Sequence, residues 1–348
     1  MIVIISFALF YYNKDLNRQG LFISYGGMAL IQKGQVVLIV LLFITTCIIP
    51  TTAQDIGNSS QSTSRGNWLY VGGSGPGNYS KIQDAIDNAS DGDTVFVYSG
   101  NYQQGMIGVN KTICLRGEDK NTTVIDGCGQ TYIFRLVNVD FYTLFIEING
   151  FTIQNASAGI EIFSHNNTIS GNIIQNNVYG IVIGWASNNL IYGNVIRKNS
   201  FGISTLGGDT WNNKIERNII ENNSYGITIR DYAEDTFIQN NTIINNSETG
   251  ISVNGYRNTV VEKNNIFGNN LNAFFIIDFD SLLRRPREIT WSKNYWGKTP
   301  LRHMIIFGNL KRYPFYQPPP PHPPQYILYN WLNFDWHPAQ EPYDIGGS

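Results

Sequence analysis

The stretch "NIIENNSYGITI", Asn218–Ile229, carries too many asparagines for a helix and too many isoleucines for a loop. It is not unique in the chain. "NIIQNNVYGIVI" at Asn172–Ile183 and "NVIRKNSFGIST" at Asn194–Thr205 repeat it closely. The glycine of the G-I-x-I element falls at Gly159, Gly180, Gly202, Gly226 and Gly250, a period of about 21 to 24 residues. An N-x-I element recurs at Asn172, Asn194, Asn218 and Asn241, and a third marker begins at Asn167, Asn189 and Asn213. Each period therefore holds three short strands separated by asparagine or glycine.

That pattern selects an all-β fold. Helical solenoids need longer runs of helix formers, and leucine-rich repeats need a leucine framework that this chain lacks. The expectation is a right-handed parallel β-helix, a solenoid with three short strands per coil. Its β-branched residues fill a narrow core, with Ile227 and Ile229 inward and Thr228 outward. Successive coils stack at about 4.8 Å, so asparagines at one corner lie under one another and pair as ladders. Asparagine and the marker glycines, Gly226 among them, are expected to turn the corners in left-handed backbone. Tyr179, Phe201 and Tyr225 each precede a marker glycine and are expected to stack as a structural aromatic ladder.

Working outward, "SKIQDAIDNA" from Ser80 places Ile82, Ala85, Ile86 and Ala89 at helical spacing behind a Ser80/Gln83 capping box. This helix is placed to cap the N-terminal end of the stack. The ordered region is expected at 68–297, with the regular repeats at about 150–270. Residues 54–67 read as a polar linker, and 298–348 as a Pro/aromatic-rich extension interrupted by "PPPPHPP". Residues 1–53 read as a targeting region. Lys33 precedes the apolar run "VVLIVLLFITTCIIP", and Thr51 and Ala53 are small residues placed for cleavage. The segment is a cleaved signal peptide or a retained membrane anchor, with Met28 an alternative start. The protein is accordingly expected outside the cytoplasm, extracellular or on the cell surface, touching a membrane only through this segment.

Composition narrows the chemistry. The 348 residues carry a formal net charge of -2, and only 14% are charged. There is no basic footprint for nucleic acid. Cys114 and Cys128 form a disulfide or remain two thiols, and no spacing suggests a metal or a cofactor.

Here the chain resembles a known family. "LYVGGSGPGNYSKIQDAIDNASDGDTVFVYSGNY", "KTICLRGEDKNTTVIDG" and "NYWG" look like the opening, continuation and end of NosD-like and CASH-type β-helix proteins, which are exported microbial proteins. The resemblance spans Trp68 to Gly297. It implies the fold and leaves function open among carbohydrate binding, carbohydrate-active enzymes and copper-site maturation.

The residues favour the first of these. The loops "FSHNN", "GWASNN", "TLGGDTWNN", "RDYAEDT" and "NGYRN" are the variable parts of each coil. Stacked in register, they would align His165, Trp185, Trp211, Tyr232 and Tyr256, with Arg257 beside them, as a stripe that binds a polysaccharide. The alternative is a lyase, hydrolase or epimerase. Glycoside hydrolysis needs two carboxylates about 5 to 9.5 Å apart, and Asp209 with Asp231 or Asp235 supplies candidates. Arg230 is the candidate for uronate recognition. Copper is the weakest reading: the chain has four His and four Met, and His165 stands alone on a loop.

Overall fold

The computed structural model describes residues 66–137, 145–206, 210–230, 233–254, 258–278, 289–297, 304–312 and 327–345. All of them fall in one compact unit, Thr63–Ser348. Residues 1–53, for which a targeting role is expected, the polyproline run and five of the candidate residues (Asp209, Asp231, Tyr232, Tyr256 and Arg257) lie outside the described residues.

The chain winds as stacked coils with three faces. The first face runs from Trp68–Val71 through Thr168–Ser170, Leu190–Tyr192 and Lys214–Glu216 to Thr290–Ser292. The second runs from Gly100–Gln103 to Asn265–Phe267, and the third from Ile107–Val109 through Tyr225–Ile229 to Met304–Arg312. Within the coils every pairing is parallel, and identical positions stack. Ile153, Ile174, Ile196, Ile220, Ile243 and Ile266 form one column. Ile160, Ile181, Ile203, Ile227 and Ile251 form another. All are fully buried, each worth about 1.5–3 kcal/mol of apolar transfer.

Asparagine ladders run along the three corners. At the corner before the second face, Asn172, Asn194, Asn218, Asn241, Asn264 and Asn294 stack. At the corner after it stand Asn177, Asn199, Asn223, Asn246 and Asn269. In both, the backbone N–H and side-chain Nδ2 of each residue donate to Oδ1 of the next at 2.8 to 3.2 Å. The third ladder, Asn167–Asn189–Asn213, is shorter, because Thr236 and Thr259 occupy the next places. A threonine hydroxyl is too short to relay the amide, and Thr236 Oγ1 has no partner among the described residues.

The marker glycines have a different role from the one expected. Gly159, Gly180, Gly202, Gly226 and Gly250 do not adopt positive φ. A Cβ on Gly226 would lie 2.4 Å from the carbonyl oxygen of Gly250 above it. These glycines permit close approach between coils. The left-handed corners belong to other residues, among them Asn222, Asn245, Lys198 and Arg217. Tyr179, Phe201 and Tyr225 stack at 4.9 and 5.0 Å with nearly parallel rings.

The helix is Ile82–Asn88, shorter than expected, with Ile82, Ala85 and Ile86 buried in the core. The Ser80/Gln83 capping box does not form. Gln104 Oε1 accepts the Ile82 N–H instead, and Gln83 turns to Gly108. At the other helix end, Lys111 Nζ donates to the carbonyls of Ile86, Asp87 and Ala89 at 2.7 to 3.0 Å. A cation there complements the last-turn carbonyls.

The C-terminal residues extend the solenoid rather than leaving it at Gly297. Met304–Arg312 pairs parallel with Leu271–Asp278, and Ile327–Asp335 pairs antiparallel with Met304–Arg312. Buried Asp335 closes the longest ladder, accepting from the Asn294 N–H and Nδ2, Lys293 N–H, Trp296 Nε1 and His337 N–H. Cys114 and Cys128 are free thiols. Burial, and then Glu147, push the Cys114 thiol up to about 11.

Candidate functional site

The variable loops occupy the corner between the third and first faces. Their last residues are regular. Asn166, Asn188, Asn212, Asp235 and Asn258 all take left-handed backbone. Asn212 donates to Asn188 at 2.7 Å, and Asn258 to Asp235 at 2.6 Å. Beneath them Ser164, Ala186, Thr210 and Ala233 form a buried column of small residues. Just before the corner, backbone bonds place His165, Ser187, Trp211 and Glu234 in register. The loops differ in what precedes this shared frame.

That register corrects the expected stripe. Trp211 lies two coils from His165 and reaches its imidazole across the small Ser187, with ring centroids 6.1 Å apart. His165 Nδ1 accepts the Ser187 N–H at 3.0 Å, so its free ring edge is Nε2. Trp185 is not in this column. It is an extra residue in its loop, in left-handed backbone at φ 46, and its ring stacks on Phe163 at 6.2 Å. The described aromatics thus form two pairs on one edge. Trp185 is 60% exposed and Trp211 45% exposed, whereas a purely structural corner would be satisfied by a small polar residue such as Ser187.

Spacing alone missed the neighbours of these pairs. The Arg135 guanidinium lies 4.0 Å from the Tyr132 ring and 5.8 Å from Phe163, and its Nε donates to Glu161 at 2.5 Å. Tyr132, Arg135, Phe163 and Trp185 therefore make a continuous run. The terminal phenylalanine of "GIEIF", in a register otherwise held by Gly184 and Leu206, was its one sequence signal.

Arg230 follows the end of Tyr225–Ile229, yet its guanidinium lies 5.2 Å from Phe201, which opens the neighbouring strand. The side chain thus reaches back over the outward face of both strands. The outward residues Ser204 and Thr228 are buried there, at 0% and 7% exposure, where exposure was expected for Thr228. Asp235 serves as a corner residue, its carboxylate held by Asn258.

A polar groove of about 640 Å³ runs along the opposite corner, over Asn176, Lys198, Ser200, Asn222, Ser224 and Asn245. Among the described residues its lining has no carboxylate and no histidine. Among the described residues no group of three or more His, Cys, Asp or Glu is placed to hold a metal ion, and no helix is long and apolar enough to cross a membrane.

The family model described as "Right handed beta helix region" matches residues 158–285. The fold is a right-handed parallel β-helix. No curated protein matches the chain. Among solved structures, pectate lyase Pel9A is similar at a TM-score of 0.50 and 16% identity, covering 67% of this chain and 75% of that one. An alginate lyase from Paenibacillus sp. str. FPU-7 is similar at a TM-score of 0.47 and 15% identity, covering 66% and 91%. The A-module of the mannuronan C-5 epimerase AlgE4 from Azotobacter vinelandii gives a TM-score of 0.31 and 17% identity, covering 62% and 81%. At these identities the likeness concerns the fold.

Non-glycine residues with bulky side chains rarely adopt left-handed backbone, and the conformation costs about 1–2 kcal/mol. Trp185 accepts that cost while leaving most of its ring in solvent. Trp185→Gly removes the strain and also the Phe163 stacking, worth about 0.5–1.5 kcal/mol. The expected change in stability is within about 1 kcal/mol of zero. A loss of several kcal/mol in urea unfolding would instead make Trp185 part of the scaffold.

Proposed function

We propose that this β-helix binds polysaccharide through the loop edge that carries His165, Phe163, Trp185 and Trp211, with Arg135 and Arg230 beside it. The carrying observation is the pair of exposed tryptophans, each braced by a second ring, above the buried column of small residues Ser164, Ala186, Thr210 and Ala233. Aromatic faces stack on sugar rings, and the adjoining cations and the His165 Nε2 edge suit hydroxyls or carboxylates. The pectate lyase of similar fold supports a carbohydrate ligand at a coarse level.

Binding is favoured over catalysis. Asp235, the one described member of the candidate carboxylates, is held in a corner by Asn258. The same proposal places the protein outside the cytoplasm, on the strength of Lys33, the apolar run Val36–Pro50 and Ala53. Its sequence pattern resembles that of exported NosD-like and CASH-type proteins.

Affinity electrophoresis in gels containing polygalacturonate, alginate or xylan tests the reading. At least one polymer should retard the native protein, and Trp185→Ala/Trp211→Ala should weaken that retardation about tenfold or more, the loss of two anchoring aromatics. Equal mobility of the native and doubly substituted proteins in all three gels rules the reading out.

A further inference from the structure

The first two coils carry an aromatic cluster that the scaffold does not require. Along Trp68–Val71 and Thr94–Val97 the inward residues are Leu69, Val71, Val95 and Val97, which fill the core. The outward residues are Trp68, Tyr70, Thr94 and Phe96, and Tyr98 follows directly. The aromatic rings among them touch one another, with centroids 5.2 to 6.3 Å apart. The cluster is braced from behind. A Cβ on Gly73 would lie 2.8 Å from the Tyr98 ring, and the Tyr102 hydroxyl donates to the Tyr98 carbonyl at 2.8 Å. Even so, Trp68 is 48% exposed and Tyr70 38% exposed. Clustered aromatic surface left in water marks a contact surface.

The register shows where this surface leads. From Tyr70 and Phe96 the same outward column continues through Arg116, Asn149 and Ser170 to Tyr192. Tyr192 is 37% exposed, with the Arg217 guanidinium 5.9 Å from its ring. Four register steps separate Phe96 from Tyr192, about 19 Å at the coil spacing. One step further on lies the coil whose corner bears Trp211. Between Phe96 and Tyr192 the first face therefore presents aromatic rings at either end of the stretch and the polar side chains of Arg116, Asn149 and Ser170 between them, and this stretch leads to the coil that bears the Trp211 edge.

We propose that Trp68, Tyr70, Phe96 and Tyr98 form a second sugar-stacking platform. One polysaccharide chain then lies along the first face, from this platform to Tyr192 and the Trp211 edge. The inference rests on the polysaccharide-binding reading and adds to it a distant subsite and a direction. Two subsites engaged by one polymer bind it more tightly than either alone, because the second contact is intramolecular.

The test uses the same three gels with a third protein, Trp68→Thr/Tyr70→Thr, in which β-branched residues keep the strand. This variant should weaken retardation by the binding polymer about tenfold or more, as Trp185→Ala/Trp211→Ala does. In the unsubstituted protein, that polymer should also protect Trp68 from oxidation by N-bromosuccinimide, read by peptide mass. If Trp185→Ala/Trp211→Ala weakens binding while Trp68→Thr/Tyr70→Thr does not and Trp68 oxidises freely, the platform falls and the loop edge stands. If no polymer retards the native protein, the loop-edge reading falls and the platform with it. Protection of Trp68 by phosphatidylcholine or phosphatidylglycerol vesicles, but not by polymer, would overturn the inference in favour of a lipid surface.

Discussion

Asn218→Ala is expected to destabilise the solenoid by about 4 kcal/mol, since each buried polar group left unpaired costs about 1–3 kcal/mol. Asn218 is fully buried. Its Nδ2 lies within hydrogen-bond distance of the Ile191 and Glu216 carbonyls and Asn241 Oδ1, and its Oδ1 accepts both the N–H and Nδ2 of Asn194. Alanine restores none of these bonds, and the stacked coils leave little room for water. Asn222, four residues on, offers the contrast. It is exposed and in left-handed backbone at φ 54, so Asn222→Ala should cost only about 1 kcal/mol of conformational strain. Urea unfolding of the two variants measures the difference. Equal losses would mean that the ladder contributes nothing beyond its backbone conformation.

Gly226→Ala is the second large expectation, a loss of about 3 kcal/mol, at the upper end of what overpacking costs. The new methyl would meet the Gly250 carbonyl at 2.4 Å and both Asn246 Nδ2 and Ile243 Cγ2 at 3.1 Å. A carbonyl locked in the coil above cannot retreat without parting the two strands. Hydrogen exchange should therefore accelerate in Tyr225–Ile229 and Thr249–Asn254 before the rest of the unit. Gly171→Ala is the control. That glycine is left-handed with open space around it, so alanine costs about 1 kcal/mol through conformation alone. Uniform acceleration along the whole solenoid in Gly226→Ala would show that the contact is not local.

These two residues also mark how far the sequence could be read. The isoleucine columns and asparagine ladders were legible because each coil meets the next through the same residues, so the packing rule appears as a literal repeat. The role of Gly226 was not, since left-handed turning and close approach both select glycine, and a single sequence does not separate them. The capping box at Ser80 and Gln83 was a sound local signal. It yielded to Gln104 and Gly108, which the coil topology brings against the helix. The strand Ile327–Asp335 was hidden by the prolines before it and by its antiparallel pairing, which breaks the repeat. In the candidate site, the shared corner frame was foreseeable from the Asn-Asn pairs. The offset of Trp185 from Trp211 was not, because inserted residues have no register in sequence. Arg135 and Glu161 meet across one coil step, outside any spacing rule applied to the loops.

The ladders also give the solenoid an electrical axis. Every carboxamide oxygen in the run from Asn172 to Asn294 accepts from the N-terminal side, where the Phe151 N–H begins the series, while each Nδ2 donates onward to the C-terminal side and also to a carbonyl of the coil before it. Their dipoles therefore add along the axis, as peptide dipoles do in an α-helix, with the positive pole at the C-terminal end. At that pole lies the buried carboxylate of Asp335, an anion supplied from beyond the last coil. The C-terminal end is thus marked by charge as well as by shape, and a second solenoid could not be stacked there without first displacing that carboxylate.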